Sequence, residues 1–302
     1  MTSWKLTTFA KKPVIEAALA QHEAAADWDA DIGVTGFEIA DDKPDDWRLD
    51  AYIPRRPTEA DKAAIAALFK GKPPAFEIEK LPDEDWLTVS QQGVQPIREG
   101  RFHIHTPDHP AIEDAGVIDF VIPAAQAFGT GQHETTAGCL AMLDAMHGKG
   151  VQARRIIDVG TGTGLLAFAA RALWPRAEFT ASDIDPLCIE AVETNADTNA
   201  VPLGAARGAV LPVLADGLDE PVLDARAPYD LIIANILAAP LIEMAPDFAR
   251  ASSPRASLVL AGLLETQEAA VRRAYRLCGF RLAQRLVRGD WSILWLRKRT
   301  HY

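Results

Sequence analysis

Residues 156–170 read IIDVGTGTGLLAFAA, and this stretch decides how the rest of the chain is interpreted. An apolar strand-like run ends at Val159, glycines follow at Gly160, Gly162 and Gly164, and a helical run begins at Leu165. Glycines let the backbone turn through left-handed conformations and approach a ligand closely, and a helix N-terminus presents unpaired N–H groups. A dinucleotide-binding turn places glycines at its first, third and sixth positions, which here would require glycine at 165, where Leu165 stands. The third glycine falls at 164 instead, giving GxGxG preceded by Asp158. An ordinary strand-to-helix turn is the plain alternative, so the flanking sequence has to decide.

Outward from that turn the sequence is regular. Helical TTAGCLAMLDAMH (135–147) precedes it, and strand-like AEFTASDI (177–184), helical PLCIEAVETNADTNA (186–200) and strand-like VLPVLA (210–215) and DLIIAN (230–235) follow. Then come helical PLIEMAPDFAR (240–250), strand-like SLVLAG (257–262) and helical ETQEAAVRRAYRLC (265–278). Short β-rich runs alternating with helical ones imply a parallel sheet covered on both faces. The ending GFRLAQRLVRGDWSILWLRK (279–298) is different. Its two strand-like runs are joined only by Arg288-Gly289-Asp290, which makes a hairpin and sets an antiparallel strand at the end of the parallel sheet. The fold class expected is α/β, a Rossmann-like methyltransferase sheet with an antiparallel last strand.

The first eighty residues have another character. WKLTTFA, VIEAALAQHEAAAD, GVTGFEIA, WRLDAYI, TEADKAAIAALFK and AFEIEKL read in order as βαββαβ. That order suggests a small α+β ferredoxin-like domain, with helices on one face of an antiparallel sheet. From about Pro82 to Pro123 periodicity loosens into charge, glycine and proline, which reads as a linker plus an entry strand, FHIH. The expected organisation is therefore a recognition domain over 1–81, linker and entry strand over 82–123, and the α/β domain over 124–302.

At 302 residues and 48% apolar, the chain can bury cores for two domains. Its net charge of −11 disfavours direct nucleic-acid binding and suits a cation-rich protein partner, especially because the acidic excess leans toward the first hundred residues. Three scattered cysteines form no CxxC pair, which argues against disulfides and thiolate metal sites and fits a reducing cytoplasm. The start MTSWKLTTFAKK lacks a signal-peptide core, and no run reaches the roughly 18 apolar residues of a membrane-spanning helix.

The GxGxG spacing with Asp158 before it suits S-adenosylmethionine, whose amino-acid tail carries a carboxylate for backbone N–H groups and an ammonium for a nearby acid. Downstream, Ser182-Asp183-Ile184-Asp185-Pro186 places an acid at a strand's carboxyl end, where it can accept both ribose hydroxyls; Asp183 takes that role. Asp185 before a proline is equally a helix cap. Asp216 stands where the adenine amino group would lie, and Asn235 ends the DLIIAN strand at the edge where open α/β sheets place their chemistry.

AFGTGQHETT (127–136), DVGTGTGLLAFAA, SDIDPLCIEAVETNADTNA, DLIIANILAAPL and LVLAGLLETQ, in this order and spacing, resemble the ribosomal protein L11 methyltransferase family (PrmA type) of class I S-adenosylmethionine-dependent methyltransferases. The resemblance runs from about Leu81 to the C-terminus and includes EDWLTVSQQGVQPIREGRFHIHTP (84–107). It implies cofactor contacts from Thr136, Gly160, Asp183 and Asn235, with Phe128 and Thr130 helping to close the pocket; Gly162 is a further cofactor-binding candidate as part of the glycine turn. It further implies an N-terminal domain that grips ribosomal protein L11, free or on the large subunit, and methylation of lysine side chains and of the N-terminal amine. The segment between Asn199 and Asp230 is longer than is usual in the family, which bears on Asp216.

His103, His105 and His109 form an HxHxxxH string, but no carboxylate or thiolate stands at a persuasive spacing, so they are read as strand and loop histidines and no metal is assigned. His133 either lines the pocket or holds its loop. The alternative to L11 as substrate is an S-adenosylmethionine-dependent methyltransferase acting on another protein or a small molecule, and two further classes compete: a nicotinamide oxidoreductase, against which Leu165 counts, and a ribosome-binding module without catalysis.

Overall fold

Residues 4–23, 28–29, 32–39, 45–71, 74–80, 95–123 and 132–299 are described by the computed structural model. They divide into two units, one within Met1–Val89 and the other within Ser90–Tyr302.

The first unit comprises β1 (Trp4–Lys11), α1 (Lys12–Glu23), β2 (Gly33–Glu38), β3 (Asp46–Ile53), α2 (Glu59–Ala67) and β4 (Glu77–Lys80). This is the βαββαβ order read from the sequence. All strand pairs are antiparallel, in the order β2-β3-β1-β4. Strand alternation brings Leu6, Leu49, Ala51 and Ile53 into one buried cluster with Ile15 and Ala18 of α1 and Ile65 of α2. A capping box starts α2: the Asp61 N–H donates to Thr58 Oγ1 (3.2 Å), and the Thr58 N–H donates to Asp61 Oδ2 (2.7 Å).

The second unit opens with β5 (Ile97–Glu99), β6 (Phe102–His105) and β7 (Ile118–Val121), where β5 runs antiparallel and β7 parallel to β6. FHIH is thus the middle of a three-stranded sheet rather than a lone entry strand. There follow α3 (Gln132–Gly148), β8 (Arg155–Val159), α4 (Leu165–Leu173), β9 (Glu178–Asp183), α5 (Pro186–Thr198) and β10 (Val210–Leu214). Next come α6 (Pro221–Arg226), β11 (Tyr229–Asn235), α7 (Ala238–Glu243), α8 (Ala245–Ala251), β12 (Ser252–Leu264), α9 (Glu268–Leu277), β13 (Phe280–Arg288) and β14 (Trp291–Lys298). The single helix expected over 240–250 is two, because Pro246 stands in the first turn of α8 and cannot continue the ladder of α7.

The seven strands from β8 onward form one sheet in the order β10-β9-β8-β11-β12-β14-β13. β10, β9, β8, β11 and β12 are parallel, and β14 is antiparallel to both of its neighbours. Helices cover both faces, so successive strand residues enter opposite cores. Ile156, Leu231, Ile233 and Val259 join Leu140, Phe168 and Val192 in one cluster; Ile157, Ile232, Ala234 and Leu258 join Leu241, Phe248 and Tyr275 in the other. This double burial is why the strands read as continuous apolar runs. The hairpin expectation is sharpened: β14 is inserted between β12 and β13, because Ser292–Leu296 is wholly buried while β13 exposes Arg281 and other polar side chains.

Candidate active site

The glycine turn follows β8 at the carboxyl edge of the parallel strands. Gly160, Gly162 and Gly164 have φ of +69°, +55° and +83°, and Gly164 is the residue from which α4 starts. Two of the three are tied to close packing: a Cβ on Gly160 would lie 2.3 Å from Ile236 Cγ2, and one on Gly164 would lie 2.7 Å from the Phe168 ring. Gly162 is different, since a Cβ there would meet nothing within 4 Å. Its backbone faces open space, as a turn that receives a ligand must.

Asp183, at the end of β9, is buried and spans this turn. Its Oδ2 accepts from the Gly162 N–H (2.9 Å), and its Oδ1 accepts from the Asp185 N–H (3.1 Å). Each oxygen keeps a lone pair for a further donor. Asp185 is the cap of α5, its carboxylate accepting from the Leu187 N–H (2.9 Å) with Pro186 at the first helical position. Asp216 lies exposed just beyond β10; the Ala215 N–H donates to the Asp183 carbonyl (2.8 Å), so the ends of β9 and β10 are side by side.

Asp158 sits beneath the turn and is 1% exposed. Its Oδ2 accepts from Thr161 Oγ1 (2.6 Å), whereas its buried Oδ1 has no hydrogen-bond partner. Burial pushes the carboxyl up to about 7 against the opposing Thr161 hydrogen bond and the nearby Ala167 backbone N–H, which lies outside hydrogen-bonding geometry, and the Asp183 charge adds to the rise. A buried carboxylate oxygen without a donor, below an open glycine turn, fits a ligand that brings a cation.

Across the turn, Asn235 ends β11, and its Nδ2 donates to Thr136 Oγ1 (3.3 Å) in the first turns of α3. Two candidates 99 positions apart are therefore neighbours. Phe128 and Thr130 lie outside the described residues, as does the side chain of His133. Ile184, Leu187, Leu214 and Leu237 are exposed large apolar side chains on the segments that leave β9, β10 and β11. Grouped apolar exposure at one sheet edge marks a binding surface.

Sequence reasoning missed what holds this edge together. Gly262 (φ +80°) lets β12 pass so close to the chain after β11 that a Cβ would lie 2.3 Å from the Ile236 carbonyl oxygen. Ile236 is wedged between Gly262 and Gly160, directly after Asn235. Buried Asn195 of α5 fastens the turn from the other side, its Nδ2 donating to the Thr163 carbonyl (3.0 Å). Only the i,i+4 pair Asn195 and Asn199 in an otherwise ordinary helix hinted at this; Asn199 exchanges hydrogen bonds with both the N–H and the carbonyl of Val121 in β7.

The histidine string resolves into a pair. His103 and His105 stack with ring centroids 5.0 Å apart and share Asp119, a carboxylate on β7 that their sequence spacing did not reveal. Burial works against the Asp119 charge, but hydrogen bonds from His103, the Ile112 N–H and His105 outweigh it and hold the carboxyl below its ordinary range.

A seven-stranded sheet with its antiparallel strand inserted next to last, a GxGxG turn after the central strand and an acid ending the neighbouring strand define a class I, Rossmann-like methyltransferase. The sequence profile described as "Ribosomal protein L11 methyltransferase (PrmA)" matches residues 10–299, and the chain belongs to that family. Proteins named ribosomal protein L11 methyltransferase from Caulobacter sp. (strain K31) and Agrobacterium fabrum are 37% and 35% identical to it. Their matches cover 94% and 89% of this chain and 96% and 90% of theirs. A crystal structure of ribosomal protein L11 methylase from Lactobacillus delbrueckii subsp. bulgaricus superposes with a TM-score of 0.54 at 27% identity, covering 68% of this chain and 99% of that one.

Proposed function

We propose that this protein transfers methyl groups from S-adenosylmethionine to amino groups of ribosomal protein L11, on lysine side chains and at the N-terminus. The observation that carries the reading is the meeting of Thr136 and Asn235 beside a glycine turn that is open at Gly162 and underlain by an unpaired Asp158 oxygen. Relatives named for this activity, matched over nearly their whole length, support the substrate.

The cofactor supplies an electrophilic methyl group on a sulfonium. The Gly160–Gly164 turn and the N-terminus of α4 would hold its carboxylate, Asp158 its ammonium, Asp183 its ribose and Asp216 its adenine amino group, with Phe128 and Thr130 closing the pocket. Methyl transfer is an in-line displacement, so the protein's main work is to hold the nucleophile collinear and close. The Asn235 amide nitrogen is committed to Thr136, which leaves its carbonyl oxygen to accept an N–H of the incoming amine and aim its lone pair. That amine must be neutral; a free lysine has a pKa of about 10.4, and desolvation beside a cation favours loss of the proton. No dedicated base is required.

Residues 1–81 form the substrate-recognition domain in this reading, 82–123 the linker with its strands, and 124–302 the catalytic domain. L11 is accepted free or on the large subunit, through protein contacts and without direct binding of nucleic acid, in the cytoplasm. Among the described residues no helix is long and apolar enough to cross a membrane. Purified protein incubated with labelled S-adenosylmethionine and a mixture of ribosomal proteins should label L11, identified by mass spectrometry. Cofactor binding without label in L11 would overturn the substrate assignment alone; absence of cofactor binding would overturn the whole reading.

A further inference from the structure

His103 and His105 are two apart on β6, so the strand pleat sends both imidazoles to one face. β7 runs parallel alongside with Asp119 opposite His103. One Asp119 oxygen lies 2.6 Å from His103 Nδ1 and the other 3.0 Å from His105 Nε2. Both histidines are nearly inaccessible, at 5% and 3% exposure.

Donor counting makes this cluster more than a hydrogen-bonded clasp. His105 Nδ1 faces the Thr106 carbonyl at 2.7 Å while its Nε2 faces the carboxylate. Both neighbours are acceptors, and a neutral imidazole has one N–H to give. The arrangement is complete only if Nε2 carries a second cation, a proton or a metal ion. A metal is favoured by the outer contacts. Ligating histidines characteristically donate their other N–H to a backbone carbonyl, as His105 does to Thr106, and ligating carboxylates are themselves hydrogen-bonded, as Asp119 is by the Ile112 N–H (3.1 Å). One ligand atom from each of the three residues lies within 4.8 Å of the others. Nitrogen and oxygen ligands of tetrahedral zinc stand roughly 3.4 Å apart, given bond lengths near 2.0–2.1 Å, so an ion would draw the widest pair together by up to about 1.4 Å and spread the two histidine–carboxylate contacts by about 0.4–0.8 Å, shifts that side-chain rotation can supply.

We propose that His103 Nδ1, His105 Nε2 and an Asp119 oxygen form a site for one divalent transition ion of the zinc type, with a fourth position open to water. Two imidazoles and one carboxylate select zinc and its neighbours over magnesium or calcium, which prefer all-oxygen shells. The ion would staple β6 to β7, the strand that Asn199, at the C-terminal cap of α5, also grips.

The test uses the full chain without a polyhistidine tag, stripped with chelator, then titrated calorimetrically with Zn²⁺, Co²⁺ and Mg²⁺. One Zn²⁺ or Co²⁺ per chain is expected, with a tetrahedral visible cobalt spectrum, a raised Tm and no response to Mg²⁺. His105→Gln and Asp119→Asn should each weaken binding by at least the roughly hundredfold that even outer partners can cost, while His147→Gln should bind as the parent does. If the cluster variants fail to fold, paramagnetic broadening by Co²⁺ in the unaltered protein gives the answer directly, through loss of NMR signals from 102–106 and 118–121. Absence of stoichiometric binding, broadening centred elsewhere, or undiminished binding by folded Asp119→Asn would each overturn the proposal.

Discussion

Asp158 links the site to pH at the scale of one side chain. Its folded carboxyl titrates near 7 against an ordinary 3.8, with burial the largest cause. A raised folded value means that the native state holds a proton which the unfolded chain has already released. Its stabilising contribution is therefore complete below about 3.8 and is lost as pH rises through about 7. Denaturant titrations without cofactor should show the Ser90–Tyr302 transition weakening across that window and levelling above it, and Asp158→Asn should flatten the profile. Cofactor affinity should run the opposite way. If an ammonium pairs with Asp158, affinity rises by up to about tenfold per pH unit until near 7, and calorimetry on Asp158→Asn shows no such rise. Asn235→Ala removes a positioning contact and should lower kcat by about a hundredfold with a smaller change in substrate KM, read by labelled methyl transfer. Unchanged turnover would remove Asn235 from the mechanism. Asp183 and Asn235 were legible in the sequence because strand ends in an α/β alternation announce the carboxyl edge. The neighbour of Asn235 was not: only the folded path of α3 shows that Thr136 lies within hydrogen-bonding reach.

Elements impose conditions that no single motif displays. Gly262 and Gly160 both touch Ile236, one through its backbone and the other through its side chain, so Ile236 spaces β12, β11 and the glycine turn. Gly262→Ala combines a left-handed φ with a clash against backbone, and should cost more than about 1 kcal/mol while also weakening cofactor binding, both read on the same preparation by denaturation and calorimetry. Stability lost with affinity unchanged would confine Gly262 to packing. Thr58→Ala in the capping box of α2 should cost about 1 kcal/mol in the transition of the N-terminal unit and leave cofactor binding untouched. The hairpin β13–β14 was readable from the short Arg288-Gly289-Asp290 join, because pairing across so short a loop is local; in the structure Arg288 still belongs to β13 and the turn is Gly289-Asp290. Which of its strands abuts β12 is a long-range choice, and the clue lay in composition: SILWL suits burial on both faces, whereas a strand carrying Arg281, Arg285 and Arg288 suits an edge. The β5-β6-β7 sheet escaped the reading because its strands are three or four residues long, too short for a period to emerge.

For the whole molecule, three buried clusters account for the interior of the described residues, and none draws on both units: one belongs to the first and two line the faces of the seven-stranded sheet. If residues 1–81 recognise the substrate, as proposed, recognition and chemistry can be tested apart. A chain beginning at Ser90 should keep cofactor affinity and lose methyl transfer to L11, whereas loss of both would show that the catalytic unit depends on the first. Charge gives the second whole-molecule consequence. With a net charge of −11, the protein would attract a lysine-rich substrate by a field that acts over about 8–10 Å at ordinary ionic strength. Screening alters encounter more than the bound geometry. Raising salt from about 50 to 300 mM should therefore lower kcat/KM for the protein substrate several-fold and leave kcat and cofactor affinity nearly constant. Steady-state kinetics across that range checks it. A kcat/KM indifferent to salt would mean that the acidic surface serves solubility alone and that shape, not field, brings the substrate to Asn235.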